Sequence, residues 1–365
     1  MRYRPELDGM RALAVLAVVA SHLALPYAAG GWMGVDVFFV LSGYLITSLL
    51  LTEQDRFGSI SLGRFYSRRV LRLYPALIAV ILLGVPFFHV LAESGSLEHY
   101  GEAAAISGLY LSDFAAGFGH LGTLGDLGAT WSLAVEEHFY LLWPPVLILL
   151  LRHRRNVLGW TAVAGGVSLA SLIALSYLAS PDGISDTAYY LPSSRFSTLL
   201  LGCVMAVMLH RGARIPLLER AWAGAGLSLA IVALVLAANH FGRYPNFAWE
   251  APAIGIFSAA LVWHVTTANR SPVSALLSLR PFVWLGRRSY GIYLYHVPVL
   301  LILQLMVFSH LPVGRIVFSI AAYVAAIGIA ALSYRFIELP FLRLKKRFSP
   351  GGRTAVAAPR ETAAA

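Results

Sequence analysis

Charge is scarce in this chain of 365 residues: Asp, Glu, Lys and Arg together supply 13% of it, about half the roughly 25% of a typical soluble domain. So few charged groups cannot cover a water-facing surface, which excludes a soluble globular enzyme. A hydrophobic share of 58% excludes intrinsic disorder as well. Cysteine is nearly absent, and the one present, Cys203, allows neither an intrachain disulfide framework nor a cysteine-rich zinc site. Lysine is confined to Lys345 and Lys346, so the net charge of +10 is carried almost wholly by arginine, a bias that points to a GC-rich coding genome. These arginines are not gathered into a nucleic-acid-binding patch. They fall between apolar runs, the pattern that orients a membrane protein.

Those runs are what the sequence has in abundance. Ten are long enough to cross a bilayer as helices, at about 9–28, 34–52, 73–92, 130–151, 157–178, 195–210, 221–240, 249–268, 289–308 and 315–337. The expected fold is an all-α polytopic bundle of about ten transmembrane helices. An even number of spans puts both ends on one side, and that side collects 23 of the 28 basic residues. Positive charge is retained on the cytoplasmic side, so both termini are expected there. The opposite loop, from Leu91 to Thr130, has Glu93, Glu98, Glu102, Asp113 and Asp126 and no Arg or Lys. Arg11 and His22 interrupt the first span too often for a cleaved signal peptide. The spans form one domain, 1–343, followed by a basic tail, 344–365, expected to be disordered.

Ionisable residues inside such spans are costly and mark function. Arg11 and His22 lie eleven residues apart, within about 20° of three full helical turns, so they share a face about 16 Å apart in height. Arg11 also suits a side chain snorkelling to the interface, and His22 a hydrogen-bonded structural role. Asp36 opens the second span near the level of His22, where it either meets the histidine or caps its own helix. Ser132, Glu136 and Tyr140 project from one face of the fourth span, with Glu136 at the depth of His22. A histidine beside a carboxylate is a general base with an orienting partner, and Asp36 and Glu136 are the two candidates for that partner. On the cytoplasmic side Arg68 and Arg72, one turn apart, suit two phosphate oxygens or anionic lipid. A second basic cluster, Arg287 and Arg288, opens the ninth span, which carries Tyr293, Tyr295 and His296.

In order along the chain, YRPELDGMRA from Tyr3 with Arg11 and His22 in an R-x10-H spacing, GVDVFFVLSGYLIT from Gly34, FYSRRVLRLYP from Phe65 and WSLAVEEHFYLLWP from Trp131 resemble the membrane-bound acyltransferase-3 family. SRFSTLLLG from Ser194, LGRRSYGIYLYHVP from Leu285 and YRFIELP from Tyr334 extend the resemblance to residue 343. The family includes O-acyltransferases of bacterial surface glycans and of macrolides. The resemblance implies a multi-pass protein of the bacterial cytoplasmic membrane that takes a short acyl group, acetyl above all, from cytoplasmic acyl-CoA. The acceptor would be a sugar hydroxyl in an envelope glycan or a secreted glycosylated metabolite. It makes His22 the catalytic histidine, Arg11 its motif partner, Glu136 the acid and Arg68, Arg69 and Arg72 the CoA-phosphate site, to which Tyr295 and His296 are assigned. No metal is expected, and the partners are the donor, the acceptor and membrane lipid, not nucleic acid. Ala129 stands where relatives often have a polar residue, so no proton relay is expected there. Many members append an extracytoplasmic hydrolase-like domain; the sequence here holds none, so transfer is expected to finish within the membrane domain, directly or through an acyl group on His22 or Ser42. The competing class is a proton-coupled secondary transporter using the same buried Arg, His and Glu.

Overall fold

The structure, a computed structural model, describes residues 3–23, 25, 27–91, 96–178, 186–241, 247–268, 271–305 and 314–344. All regular structure among them is helical. Ten helices carry the expected spans: α1 Pro5–His22, α2 Gly34–Phe57, α3 Leu62–Leu91, α4 Trp131–Arg152, α5 Val157–Leu178, α6 Pro192–His210, α7 Ala221–Phe241, α8 Phe247–Thr267, α9 Ser289–Leu303 and α10 Arg315–Ser333. Seven described helices are long and apolar enough to cross a membrane, and Ser289–Leu303 is apolar but shorter. Three charges, Glu6, Asp8 and Arg11, fall within the 18 residues of α1. The expected tail, apart from Leu344, lies outside the described residues, as does Arg243. Between the third and fourth expected spans the apolar stretch from Ala103 to Leu111 begins in the helix Ser96–Gly108 and runs three residues past its end, and two short helices, Pro272–Leu277 and Arg280–Arg287, join α8 to α9.

Burial sorts the long helices into centre and rim. The most apolar stretch of α2 is 72% buried, against 17% for that of α7. The rim helices turn large apolar side chains outward, among them Trp160, Val163 and Val167 on α5 and Ile316, Ile320 and Val324 on α10. In water such surfaces would aggregate; against lipid tails they are matched.

Lipid tails are as apolar as Leu, so association of the central helices rests on close packing rather than on expulsion of water. The α2–α6 contact shows how. A Cβ on Gly43 would sit 1.9 Å from the Leu199 carbonyl oxygen, and one on Gly202 2.2 Å from that of Val40. The two backbones therefore touch, and only glycine fits at either crossing point. At its far end α2 stops on Gly58, whose left-handed φ of 67° turns the chain so that its N–H closes on Gln54. That turn delivers α3 against α2 with its arginines at the same end.

Replacing Gly43 or Gly202 by leucine should push α2 and α6 apart and cost at least the about 1–3 kcal/mol typical of overpacking. Thermal unfolding of the detergent-solubilised variants, compared with wild type, measures it.

Candidate active site

Five helices leave a cavity of about 170 Å³ between them. Arg11 of α1, Ser42 of α2, Arg69 and Arg72 of α3, Glu136 and Tyr140 of α4 and Tyr293 of α9 all line it. A second recess of about 300 Å³ adjoins it and shares Leu49, Arg69 and Arg72 with it. This recess adds Glu53, Arg56 and Arg68 to the wall. The two spaces thus share an arginine-bearing wall, with Glu136 in the first of them.

Helical spacing decides which arginine does what. Arg69 and Arg72 are three apart and face both spaces, whereas Arg68 points about 100° away from Arg69 and meets Glu53 at 3.2 Å in the outer recess. Arg69 and Arg72 make the wall shared by both spaces, while Arg68 joins Arg72 in the wall of the second recess with Glu53 beside it. Arg69 lies 4.0 Å from the centre of the Tyr140 ring, a cation–π contact. Tyr140 donates its hydroxyl to Glu136 Oε2 at 2.7 Å, and Ser42 donates to Oε1 at 3.0 Å. Arg11 donates from Nε to Ser289 Oγ at 3.2 Å. Arg11, Arg69 and Arg72 face one carboxylate, Glu136, across this small space, so the cavity favours an anion. Among the described residues no group of His, Cys, Asp and Glu is arranged to hold a metal ion.

His22 stands outside that cavity. Its ring meets the His296 ring edge-on, with centroids 4.7 Å apart, and His296 in turn packs against Tyr293 at 5.4 Å. Only Tyr293 of these three reaches the cavity wall. His22 Nδ1 lies 3.0 Å from the Val18 carbonyl. A carbonyl can only accept, so Nδ1 carries the proton and Nε2 holds the basic lone pair. The same logic applies to His296, whose Nδ1 donates to the Tyr293 carbonyl. Its Nε2 is buried and has no hydrogen-bond partner among the described residues. Tyr293 donates its hydroxyl to the Ala129 carbonyl at 3.1 Å, which leaves Ser132 Oγ, 2.6 Å away, to donate to Tyr293.

Three sequence expectations are therefore revised. Asp36 is not placed to orient His22; its carboxylate lies 3.2 Å from Arg195, with both side chains buried. The reason lies in the spacing of α2. Gly34 is pressed against Ala14 of α1, and Asp36, about 200° further round, shares the α6-facing side with Val40 and Gly43. Tyr295 is not at the arginine entrance: its hydroxyl pairs with Ser333 of α10 at 3.1 Å. His296 is not there either. Ser289, Tyr293 and His296 follow each other at i, i+4 and i+7, which puts His296 two turns deeper, against His22. Arg195, which the sequence places only at the border of a span, is the residue that was missed. It lies between 5.1 and 5.5 Å from the centres of the Phe39, Trp131, Tyr189 and Phe247 rings. Two lone charges of opposite sign near one end of their spans were the available signal.

A family model described as an acyltransferase domain matches residues 4–335. The chain is 33% identical over 350 residues to the peptidoglycan O-acetyltransferase OatA of Listeria monocytogenes, covering 93% of this chain and 56% of that one. It is 32% identical over 382 residues to the O-acetyltransferase OatA of Staphylococcus aureus, covering 97% and 61%. The chain thus spans a little over half the length of these relatives. No solved structure matches it.

Removing one partner of a buried ion pair strands the other charge, at a cost of about 3–5 kcal/mol. Arg195→Met should therefore lose folded, monodisperse protein on size-exclusion chromatography. The double variant Arg195→Met with Asp36→Leu should recover most of it.

Proposed function

The chain belongs to the acyltransferase-3 family, and from that premise we propose that it is an integral membrane O-acetyltransferase of the bacterial cytoplasmic membrane, with ten spans and both termini in the cytoplasm. The donor is acyl-CoA, acetyl-CoA foremost, and the acceptor is a sugar hydroxyl of a cell-envelope glycan, the substrate class in the name of the Listeria relative. The observation that carries this reading is that Arg69 and Arg72 line both the recess and the adjoining cavity. A nucleotide phosphate held there by charge-assisted hydrogen bonds leaves the slender pantetheine arm pointing inward, towards Tyr293.

His22 is the general base. Its Nε2 takes the proton of the acceptor hydroxyl as that oxygen attacks the thioester carbonyl, and the carbon–sulfur bond breaks. The imidazolium then returns the proton to the departing CoA sulfur, so ester and free thiol form with no net proton change. Donor and acceptor approach from opposite sides of the Tyr293–His296 layer, which turns aside for the carbonyl to reach His22. Glu136 does not touch the base; it fixes Tyr140 and, through that ring, the Arg69 guanidinium. Relatives named for acetyl transfer weigh against a proton-coupled transporter.

Purified protein in proteoliposomes, supplied with acetyl-CoA and a glycan acceptor, tests the reading. His22→Ala should lower kcat about 10²- to 10⁴-fold at unchanged melting temperature. Arg69→Gln with Arg72→Gln should raise the KM for acetyl-CoA at least about tenfold and leave that of the acceptor alone. Undiminished transfer by His22→Ala, or substrate-driven proton flux without transfer, would overturn the proposal.

A further inference from the structure

A second cleft, of about 400 Å³, lies at the arginine-rich end of the bundle and takes no part in the reaction just described. Its wall is the helix Arg280–Arg287, with Tyr3 and Tyr334 closing the sides. Along that helix Arg280, Trp284 and Arg287 recur at i, i+4 and i+7, so one exposed face presents an aromatic ring between two cations. Arg288 follows directly, its guanidinium 3.9 Å from the Trp284 ring centre and 4.8 Å from that of Tyr334.

The cations in this cleft are not equally engaged. Arg287 bonds the Tyr3 hydroxyl at 2.9 Å and lies 3.6 Å from Asp8. Arg280 is exposed and has no ion pair among the described residues. Arg288 uses Nη1 on the Trp284 carbonyl, but its Nε–H is buried without a partner. Glu338 acts on Arg288 only from beyond ion-pairing distance. Arg280 and the Nη2 end of Arg288 therefore keep hydrogen-bonding capacity beside the cleft, a geometry suited to phosphate. The rim is partly apolar: Val283 and the exposed Trp284 line the cleft, and the exposed Leu279 directly precedes Arg280. A soluble nucleotide has no use for such a rim, whereas a phosphate that carries acyl chains does.

We propose that this cleft binds the phosphate of an anionic phospholipid, with Arg280 and Arg288 on the headgroup and the chains running out along the apolar rim. The site is tied to the rest of the protein. A Cβ on Gly286 would lie 1.8 Å from the Asp8 carbonyl oxygen, and one on Gly9 2.0 Å from that of Leu277, so the joining helices grip α1, which carries Arg11. Arg288 also precedes Ser289, the partner of Arg11. An occupied cleft thereby steadies one wall of the cavity.

Native mass spectrometry of the full-length protein, released from phosphatidylcholine vesicles with and without phosphatidylglycerol, reads the site directly and needs no acyl transfer. Wild type should retain phosphatidylglycerol. Arg280→Gln and Arg288→Gln should each cut that retention about fivefold, while phosphatidylcholine is unaffected and Arg280→Lys keeps most of it. Arg280 makes no contact that folding requires, so its variant decides the matter even where Arg288→Gln does not fold. Equal retention by Arg280→Gln and wild type would overturn the proposal. So would an equal loss on Arg220→Gln, an exposed arginine elsewhere, which would reduce the effect to general surface charge. Displacement of the lipid by inorganic phosphate or by adenosine 3′,5′-bisphosphate would also overturn it, assigning the cleft to a soluble phosphate.

Discussion

A charge away from water must find an opposite charge, and in this protein that demand is met once at the centre of the bundle. Asp36 and Arg195 pair at 3.2 Å, on two helices whose backbones are already in contact at Gly43 and Gly202. The two features support each other. Glycine at the crossings brings the helices close enough for the charges to meet, and the pair sets the register at which they meet. Four aromatic rings close around the guanidinium, replacing lost hydration with ring faces of negative potential. α4 supplies one of those rings, Trp131, from its first turn. The same helix carries Glu136 one turn further on, so the pair helps to place the cavity wall.

Arginine is used differently at each depth. At the core Arg195 is buried against Asp36 and ringed by aromatic side chains. Along the approach Arg69 and Arg72 face open space, with Tyr140 and Glu136 holding the first in place. At the entrance Arg68 sits against Glu53, and in the side cleft Arg280 and Arg288 keep hydrogen-bonding capacity free. One residue type thus serves a buried ion pair, a cavity wall and an open cleft, because the guanidinium keeps its charge in all three settings and offers both a flat face and a fork of donors.

Tyr293, His296 and His22 form a layer beside the cavity: Tyr293 lies on its wall, His296 packs against Tyr293, and His22 meets His296 edge-on. In the proposed reaction donor and acceptor meet across this layer. Carbonyl partners set both imidazoles with Nδ1 protonated, so the basic nitrogen of each is Nε2.

Much of this architecture was legible in the chain itself. Apolar run length pointed to an all-helical chain, and seven described helices are long and apolar enough to cross a membrane; the face shared by Ser132, Glu136 and Tyr140 followed from helical spacing. The arginine-rich stretch before Tyr74 was likewise recognisable as a cluster of positive charge, although which of its members face the cavity was not. The neighbours of Asp36, Tyr295 and His296 were not legible, for a common reason: a span's sequence states what lies on each face but not which neighbour that face meets. Composition and periodicity alone determined an all-helical membrane protein with charge concentrated at one end. Only tertiary packing decided that Asp36 answers Arg195, that His296 backs His22, and that Arg69 rather than Arg68 lines the cavity, because those pairings depend on how helices rotate against each other once their glycines touch.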